Sequence, residues 1–382
     1  MPGEIMGRHD FHAAHACSPG SDYMIDRDPS TADERSERVR TLEHKGTPAS
    51  IRTLTIRDVA RLAGVSPITV SRVINHPELV MERTRDAVRL VIDQTGYVPN
   101  MLAGALSSAR SRLVAAIVPS VTNLIFLETV QALTDRLRRA GYQTFFGFSG
   151  YPGTREDELI LAALSRRPDG IFLTGVRHAR KTRERLLAAR VPIVETWDLT
   201  KAPLDMLVGF SHERVGAVVA TRLLQLGYKR FYVVTADDER ALRRRRAFES
   251  TLRRHGITDV QAVEVPAPST FALGREAMAH LLSTGFHSGV IFCSSDTLAH
   301  GVLTEAQSRR LAVPGRVSIV GFGDLEYAAH TAPALSTVRI DRVGIGVRAA
   351  DALLASMSGE PARDKVIDLG FEFVERGTTC QQ

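Results

Sequence analysis

The chain has 382 residues, of which 44% are apolar and 24% charged, with a formal net charge of +6. This length suffices for about two or three globular units, and no apolar run reaches the roughly 20 residues that a membrane-spanning helix needs. The positive charge favours a polyanionic partner. Three widely spaced cysteines, Cys17, Cys293 and Cys380, fit a reducing cytoplasm and predict no disulfide.

Residues 1–50 are rich in Ser, His, Asp, Glu and Arg and show neither helical nor strand periodicity. They also lack the apolar core of a secretory signal, so we expect a disordered extension. His9, His12, His15 and Cys17 are possible metal ligands by type, but no folded scaffold surrounds them, and we expect no metal site. A translation start placed too early is an alternative, with Met24 as a later start.

Residues 55–75 predict two short helices joined by a tight turn. Thr55 can cap the first helix, and Gly64 can adopt the left-handed conformation that ends it. Ser66 is a good N-cap and Pro67 suits the first position of the second helix. This is the geometry of a helix-turn-helix.

In a helix-turn-helix the first residues of the second helix meet base edges in the major groove, while hydroxyl and N–H groups hold phosphates. Pro67, Ile68, Ser71 and Arg72 should face outward. The candidate DNA contacts in this segment are Thr55, Ser66, Pro67, Ile68, Thr69, Ser71, Arg72 and Asn75.

The segment VARLAGVSPITVSRVIN, followed by GYVPNMLAGAL, resembles the DNA-binding headpiece of the lactose/galactose-repressor (LacI/GalR) family of bacterial regulators. The resemblance runs from about residue 53 to about residue 376. Within it, VPSVTNLIFLETV, GYQTFFG, PDGIFLTG, LDMLVGF and VIDLGFEF look most like the gluconate-operon repressor subgroup. The resemblance implies a headpiece over residues 51–98 with a third helix near 82–95.

Residues 99–112 contain many small side chains, which make an isolated helix marginal in water. On local features a plain linker is equally possible. The resemblance implies a hinge helix that folds on DNA, with Asn100 at the family spacing. Two such helices from a dimer would pair in the minor groove, where Leu106 would wedge between base pairs.

From residue 113 short apolar runs alternate with amphipathic stretches in a βαβ rhythm. We therefore expect an α/β fold: a helix-turn-helix headpiece followed by a two-lobed, periplasmic-binding-protein-like core of Rossmann type. The core would span residues 113–382, with lobes at about 113–210 and 211–338 and C-terminal crossovers, and would carry effector binding and dimerisation. Ligand should bind between the lobes, at the carboxyl ends of the strands.

Candidate effector contacts follow two of these strands. Ser120, Asn123 and Phe126 lie in the loop after the first strand, although capping or core packing would also explain them. Trp197, the single tryptophan, lies beside two acidic residues, and partial core burial is its alternative.

Three further candidates depend on the family resemblance. Arg244 falls where the family aims an arginine into the cleft, although a run of arginines at 243–246 is otherwise typical of a solvated face. Phe271 and Asp296 also fall at family ligand positions, and helix capping is an equal alternative for Asp296. Residues 321–324 should form a structural corner outside the site.

Enzyme interpretations find little support. The chain has no P-loop and no H-E-x-x-H pair, and the match Gly344-x-Gly346-x-x-Ala349 is weak by itself. We expect no catalysis and no cofactor. A sugar-binding receptor or transport protein with the same lobes is the competing class, against which the headpiece and the lack of a signal sequence argue.

The resemblance thus implies a cytoplasmic, nucleoid-associated repressor that binds double-stranded operator DNA as a homodimer. Gluconate or a related sugar acid would be the effector that releases it. The C-terminal residues lack the leucine heptads that would make a tetramer. Pro67 and Ile68 cannot donate hydrogen bonds from their side chains, so operator specificity should differ from that of relatives with polar residues there.

Overall fold

The computed structural model describes residues 54–98, 110–120, 124–151, 155–360 and 364–381. The chain divides into two compact units, one up to Pro99 and one from Asn100 onward. The predicted extension over residues 1–50 lies outside the described residues, as do the candidate contacts Asn100, Leu106 and Asn123.

The first unit consists of α1 (Ile56–Leu62), α2 (Pro67–Asn75), a 3-10 turn (Pro77–Leu79) and α3 (Glu82–Thr95). Its small core is built from Val59, Val70, Val73 and Val88, at least one from each helix. Gly64 has φ +67°, the left-handed conformation that the turn between α1 and α2 requires. The Ser66 hydroxyl accepts a hydrogen bond from the Thr69 N–H at 3.1 Å, which caps α2 as predicted.

The second unit starts with β1 (Leu113–Val118), α4 (Leu127–Arg139), β2 (Gln143–Phe148), α5 (Glu156–Leu164), β3 (Gly170–Thr174), α6 (Arg180–Ala189), β4 (Ile193–Thr196) and β5 (Met206–Gly209). It continues with α7 (His212–Gln225), β6 (Phe231–Ala236), α8 (Glu239–Arg254), β7 (Val260–Val265), α9 (Phe271–Ser283), β8 (Gly289–Cys293), α10 (Asp296–Ser308) and β9 (Val317–Val320). It ends with β10 (Thr337–Arg339), α11 (Arg342–Met357), β11 (Val366–Asp368) and β12 (Glu372–Val374).

These elements form two lobes, each built on a parallel sheet. The first sheet has the order β11-β5-β4-β3-β1-β2 and the second has the order β7-β6-β8-β9, while β10 and β12 form an antiparallel pair. The chain passes between the lobes after β5, after β10 and after β11. The predicted fold class, a helix-turn-helix headpiece with a two-lobed α/β core, is confirmed.

Helices α7 and α8 of the second lobe approach each other closely at Gly216. A Cβ atom at Gly216 would lie 2.1 Å from the backbone oxygen of Arg244 and 2.9 Å from the backbone nitrogen of Phe248. Both neighbours are backbone atoms, so no side-chain rotation could make room. The close approach fixes the position of α8, and with it the position of the arginines that this helix carries.

His178, in the loop between β3 and α6, links three parts of the first lobe. Its side chain is 1% exposed, and its Nδ1 and Nε2 atoms lie 2.9 Å from Glu156 Oε1 and 3.1 Å from Glu195 Oε1. The second Glu195 oxygen accepts a hydrogen bond from the Leu204 N–H at 2.6 Å. Burial acts to lower the pKa of His178, but the hydrogen bonds and charges of the two glutamates outweigh it and raise this pKa to about 9. The imidazolium therefore holds the loop after β3 against α5 and β4 at neutral pH.

The His178 ion pairs should make stability depend on pH. Because the folded-state pKa lies above the unfolded value of about 6.5, the stabilisation is fully present below about pH 6.5 and is lost as the pH rises through about 9. We expect His178→Gln to lower the free energy of unfolding by roughly 3 kcal/mol at pH 6 and by much less at pH 10. Denaturant unfolding of both proteins across this range measures the difference, with the exposed His330→Gln as control. A difference that stays constant with pH would show that His178 is neutral when folded.

The close approach at Gly216 predicts a second loss of stability. The added methyl group of Gly216→Ala should force α7 and α8 apart and cost roughly 1 to 3 kcal/mol. The matched control is Val218→Ala, at an exposed position two residues further along α7. Thermal unfolding of the three proteins tests this expectation, and equal midpoints for wild type and Gly216→Ala would contradict it.

Candidate functional site

The first turn of α2 presents an exposed face. Pro67, Ile68 and Arg72 are exposed, with Ile68 67% accessible, while Val70 and Val73 fill the core on the opposite side of the helix. Arg57 and Arg61 on α1 are also exposed. The apolar side chain of Ile68 at the start of α2 is suited to contact a thymine methyl group, and the guanidinium groups of the three arginines are suited to contact phosphates.

Other predicted DNA contacts have partners within the first unit. The carboxylate of Asp58 accepts hydrogen bonds from the N–H of Thr55 at 3.0 Å and from its hydroxyl at 2.7 Å. The Thr69 hydroxyl lies 2.9 Å from that of Ser66. The Asn75 amide donates to the Ser71 carbonyl at 3.0 Å. These side chains shape the helix ends as well as facing solvent.

A cavity of about 620 Å³ lies between the two lobes of the second unit. Two ion pairs cross it. The guanidinium of Arg243 on α8 donates to both carboxylate oxygens of Asp198, after β4, at 3.0 and 2.6 Å. Arg177, in the loop after β3, lies 3.2 Å from Glu239 at the start of α8. Burial raises the pKa of Asp198, while the charge of Arg243 acts to lower it. The outer cleft is thus held by charges that are already paired.

A smaller chamber of about 40 Å³ adjoins this cavity, because Tyr151, Asp238 and Arg240 line both. Its walls are aromatic. The ring of Phe126 meets that of Trp197 edge to face with centroids 4.9 Å apart, and Trp197 in turn meets Phe210 at 6.0 Å. Trp197 is 2% exposed and has φ +66°, an uncommon conformation for a bulky residue that turns the chain after β4.

Arg244 is buried at the base of this chamber. Its guanidinium lies 3.8 Å from the ring centroid of Phe322 and donates to the Ser294 carbonyl at 2.8 Å. It also donates to His212 Nδ1 at 2.9 Å, while His212 Nε2 donates to the Trp197 carbonyl at 2.9 Å. Burial, followed by the charge of Arg244, holds the pKa of His212 well below its usual value, so the ring is neutral and Nδ1 can accept. Burial also lowers the pKa of Arg244 to about 10, although the charge of Asp238 acts to raise it.

Arg240, one turn before Arg244 on α8, completes the chamber and was missed by sequence reasoning. Its guanidinium stacks on Phe126 of the first lobe at 5.1 Å from the ring centroid. Its Nη1 atom is buried and has no hydrogen-bond partner among the described residues. The spacing of four residues from Arg244 was the available signal, because such residues share a helix face.

The structure brings Phe126, Trp197 and Arg244, three of the candidate effector contacts, together in one chamber. Ser120 is half-buried and follows Pro119, which lines the outer cavity. Phe271 and Asp296 line neither cavity. Phe271 packs on His300 at 5.0 Å between ring centroids. Effector contacts by these two residues stay predictions without support from either cavity.

Asp296 has a structural setting inside the second lobe. One carboxylate oxygen accepts a hydrogen bond from the Leu325 N–H at 2.7 Å and the other accepts from the Thr337 hydroxyl at 2.5 Å. Burial raises the pKa of Asp296 to about 6, against both hydrogen bonds. The residue thereby ties the start of α10 to the corner at 321–324. This corner was expected to lie outside the site, but Phe322 lines the inner chamber and its ring lies against the Arg244 guanidinium.

Two properties of the described residues bear on other functions. None of the helices in the described ranges is both long enough and apolar enough to cross a membrane. Those same residues contain no group of three or more His, Cys, Asp or Glu side chains that could hold a metal ion.

Both units match known protein families. A model described as bacterial regulatory proteins, lacI family, matches residues 55–100, and a model described as a periplasmic binding protein-like domain matches residues 220–379. The first match falls on the helix-turn-helix, and the second covers most of the second lobe together with the C-terminal elements α11, β11 and β12. The resemblance that the sequence motifs indicated is confirmed.

Curated relatives and solved structures agree. The HTH-type transcriptional regulator GntR of Pseudomonas aeruginosa is 39% identical over 329 residues, which cover 85% of this chain and 95% of that protein. The HTH-type transcriptional regulator IdnR of Escherichia coli is 30% identical over 85% of this chain and 98% of that protein. A crystal structure of a LacI-family transcriptional regulator from Silicibacter pomeroyi superposes with a TM-score of 0.80 at 32% identity, covering 85% of this chain and 99% of that one. The chain therefore belongs to the lacI family of bacterial regulatory proteins.

Proposed function

We propose that this transcriptional regulator represses sugar-acid catabolic genes and leaves its operator when gluconate or a related sugar acid binds between the two lobes. It would act in the cytoplasm as a homodimer, without catalysing a reaction. One observation supports the proposed effector site: a chamber lined by aromatic rings and by two arginines that no carboxylate of the described residues contacts closely. The names of the relatives GntR and IdnR and the resemblance to the gluconate-operon subgroup support the class of genes.

The exposed face of α2 supports the operator half of the proposal. A dimer would set two such helices in successive major grooves, so the operator would be pseudo-palindromic. Ile68 would contact a thymine methyl group, and Arg72 would reach a guanine edge or a phosphate. Thr55, Ser66, Thr69, Ser71 and Asn75 would hold the backbone, and Asn100 and Leu106 would act in the minor groove.

The volumes of the two cavities support the proposal that ligand binding changes the arrangement of the lobes. Ligand pockets are typically about 300 to 1,000 Å³, a range that includes the outer cavity but not the inner chamber of about 40 Å³. A sugar acid that reaches Phe126, Trp197 and Arg244 must therefore displace the side chains or lobes around the chamber. Ser120 and Asn123 would meet it from the loop after β1. Only a ligand that prefers one lobe arrangement can change DNA affinity.

The direct test is fluorescence anisotropy with DNA from the promoter region of the chain's own gene. Titrations at fixed salt, with and without gluconate and related sugar acids, should show tight specific binding that one acid releases. Specific binding that no acid affects would remove the sugar-acid assignment and keep the regulator. Lack of any specific binding would favour the sugar-receptor alternative.

Trp197 offers an internal reporter of the effector. It is the single tryptophan of the chain and forms a wall of the inner chamber, so its emission should change when the acid binds. A saturable change with gluconate in wild type, abolished in Trp197→Phe, is the expected result of a fluorescence titration without DNA. An acid that releases the operator yet leaves the emission unchanged would move the effector site away from Trp197.

Arg72 should discriminate between operator and other DNA. If it contacts a base, Arg72→Ala should cost roughly 1 to 3 kcal/mol on the cognate site and less on unrelated DNA. Anisotropy titrations on both DNAs measure this difference. Arg253→Ala, which removes the same charge from an exposed position on α8, is the matched control. An equal loss on both DNAs would assign Arg72 to a phosphate.

A further inference from the structure

We propose that Arg240 and Arg244 together receive the carboxylate of the effector, and that Arg240 is the residue that selects an acid over a neutral polyol. This inference rests on the proposed function, because it assumes a sugar-acid effector. It adds a residue and a charge requirement that neither the family resemblance nor the sequence motifs assign.

The two guanidinium groups converge on one chamber. Arg240 and Arg244 are four residues apart on α8, so they share a face of the helix, and both line the inner chamber. Each retains a buried nitrogen without a hydrogen-bond partner among the described residues, Nη1 in Arg240 and Nε in Arg244. Arg244 is only 4% exposed, so water does not solvate its unpaired N–H freely. A buried unpaired donor is unfavourable, and an acceptor placed between the two residues would remove the penalty.

The charges of the cleft show where an anion is missing. Arg243 and Arg177 already have close carboxylate partners in Asp198 and Glu239. Among the described residues, the nearest carboxylate oxygen to Arg240 belongs to Asp238, and it lies 4.0 Å from Nε. That oxygen caps α8 by accepting from the backbone N–H groups of Arg240 and Ala241 at 3.2 Å each.

Within the part of the chain that the structure describes, Arg244 has only neutral acceptors. Its two terminal nitrogens donate to His212 and to the carbonyl of Ser294, and neither group carries a negative charge. Burial has the largest effect on the pKa of Arg244 and lowers it; the charge of Asp238 acts to raise this pKa, and the charge of Arg240 acts to lower it. A carboxylate in the chamber would compensate both cations at once, and charge-assisted hydrogen bonds to arginine are among the strongest in proteins.

Arg240 also connects this charge to the arrangement of the lobes. It belongs to α8 of the second lobe, yet its guanidinium stacks on Phe126 of the first. Its Nη1 lies 4.0 Å from the position that a Cβ atom at Gly175, after β3, would occupy. A carboxylate bound to Nη1 of Arg240 would therefore lie at the boundary between the two lobes. A neutral polyol of the same length would leave both cations unpaired.

Calorimetric titration of the full chain with gluconate and with glucitol, its neutral counterpart, tests the inference. We expect wild type to prefer gluconate and Arg240→Gln to lose about 10- to 100-fold in gluconate affinity while its glucitol affinity stays within twofold. Arg246→Gln, on the same helix but exposed to solvent, should behave as wild type. All three proteins should bind promoter DNA equally in the absence of ligand, which verifies that the variants fold.

The outcomes separate this inference from the function on which it rests. Gluconate affinity of Arg240→Gln within twofold of wild type would overturn the role of Arg240 and leave the repressor proposal intact. Equal losses for gluconate and glucitol would also overturn it, since they would indicate a general effect on the chamber. If wild type binds no sugar acid at all, the proposed effector class fails and this inference fails with it.

Discussion

The boundary between the two lobes of the second unit is organised around a buried cation, Arg244, which has no anionic partner in hydrogen-bond contact among the described residues. Arg244 is supported by an aromatic ring, a neutral imidazole and a backbone carbonyl, contributed by three separate segments of the chain. His212 can accept from Arg244 only while neutral, and its opposite nitrogen then donates to the Trp197 carbonyl of the first lobe. The Arg244 guanidinium thus favours the neutral His212 tautomer that is protonated on Nε2. This tautomer holds the Trp197 carbonyl and forms a contact between the lobes. Gly216 is part of the same arrangement, because it lets α7 approach the backbone of Arg244.

The outer cavity and the inner chamber differ in whether their arginines have close carboxylate partners. At the outer cavity, Arg243 and Asp198 form a buried bidentate pair, and removing either partner would leave an uncompensated charge. At the inner chamber, Arg240 and Arg244 lie close together with donors still available. An incoming anion gains little at the outer cavity, where it would compete with existing carboxylates, and gains most at the chamber. The distribution of ion pairs, more than the size of the cavity, therefore determines where a sugar acid would bind.

Structural features that depend on residues close together in the sequence could be predicted from the sequence alone. The cap at Ser66, the left-handed Gly64 and the parallel strands follow from side-chain type and spacing within one element. Asp296 could not be resolved in this way, because a helix cap and a ligand contact have the same local pattern, and its partners Leu325 and Thr337 are distant in sequence. The arginine run at 243–246 was ambiguous for a similar reason. Only the packing of α8 distinguishes buried Arg244 from exposed Arg246.

Residues that the fold leaves unsatisfied are those best placed for recognition. The Ile68 side chain on α2 is exposed, and Nη1 of Arg240 on α8 makes no hydrogen bond among the described residues. Neither side chain belongs to a hydrophobic core, so operator and effector preference can change while the core stays the same. Arg244 differs, because the same guanidinium that would contact ligand also holds the lobe boundary. Selectivity for acids is therefore easier to alter at Arg240 than at Arg244, since only the second change would disturb His212 and Trp197.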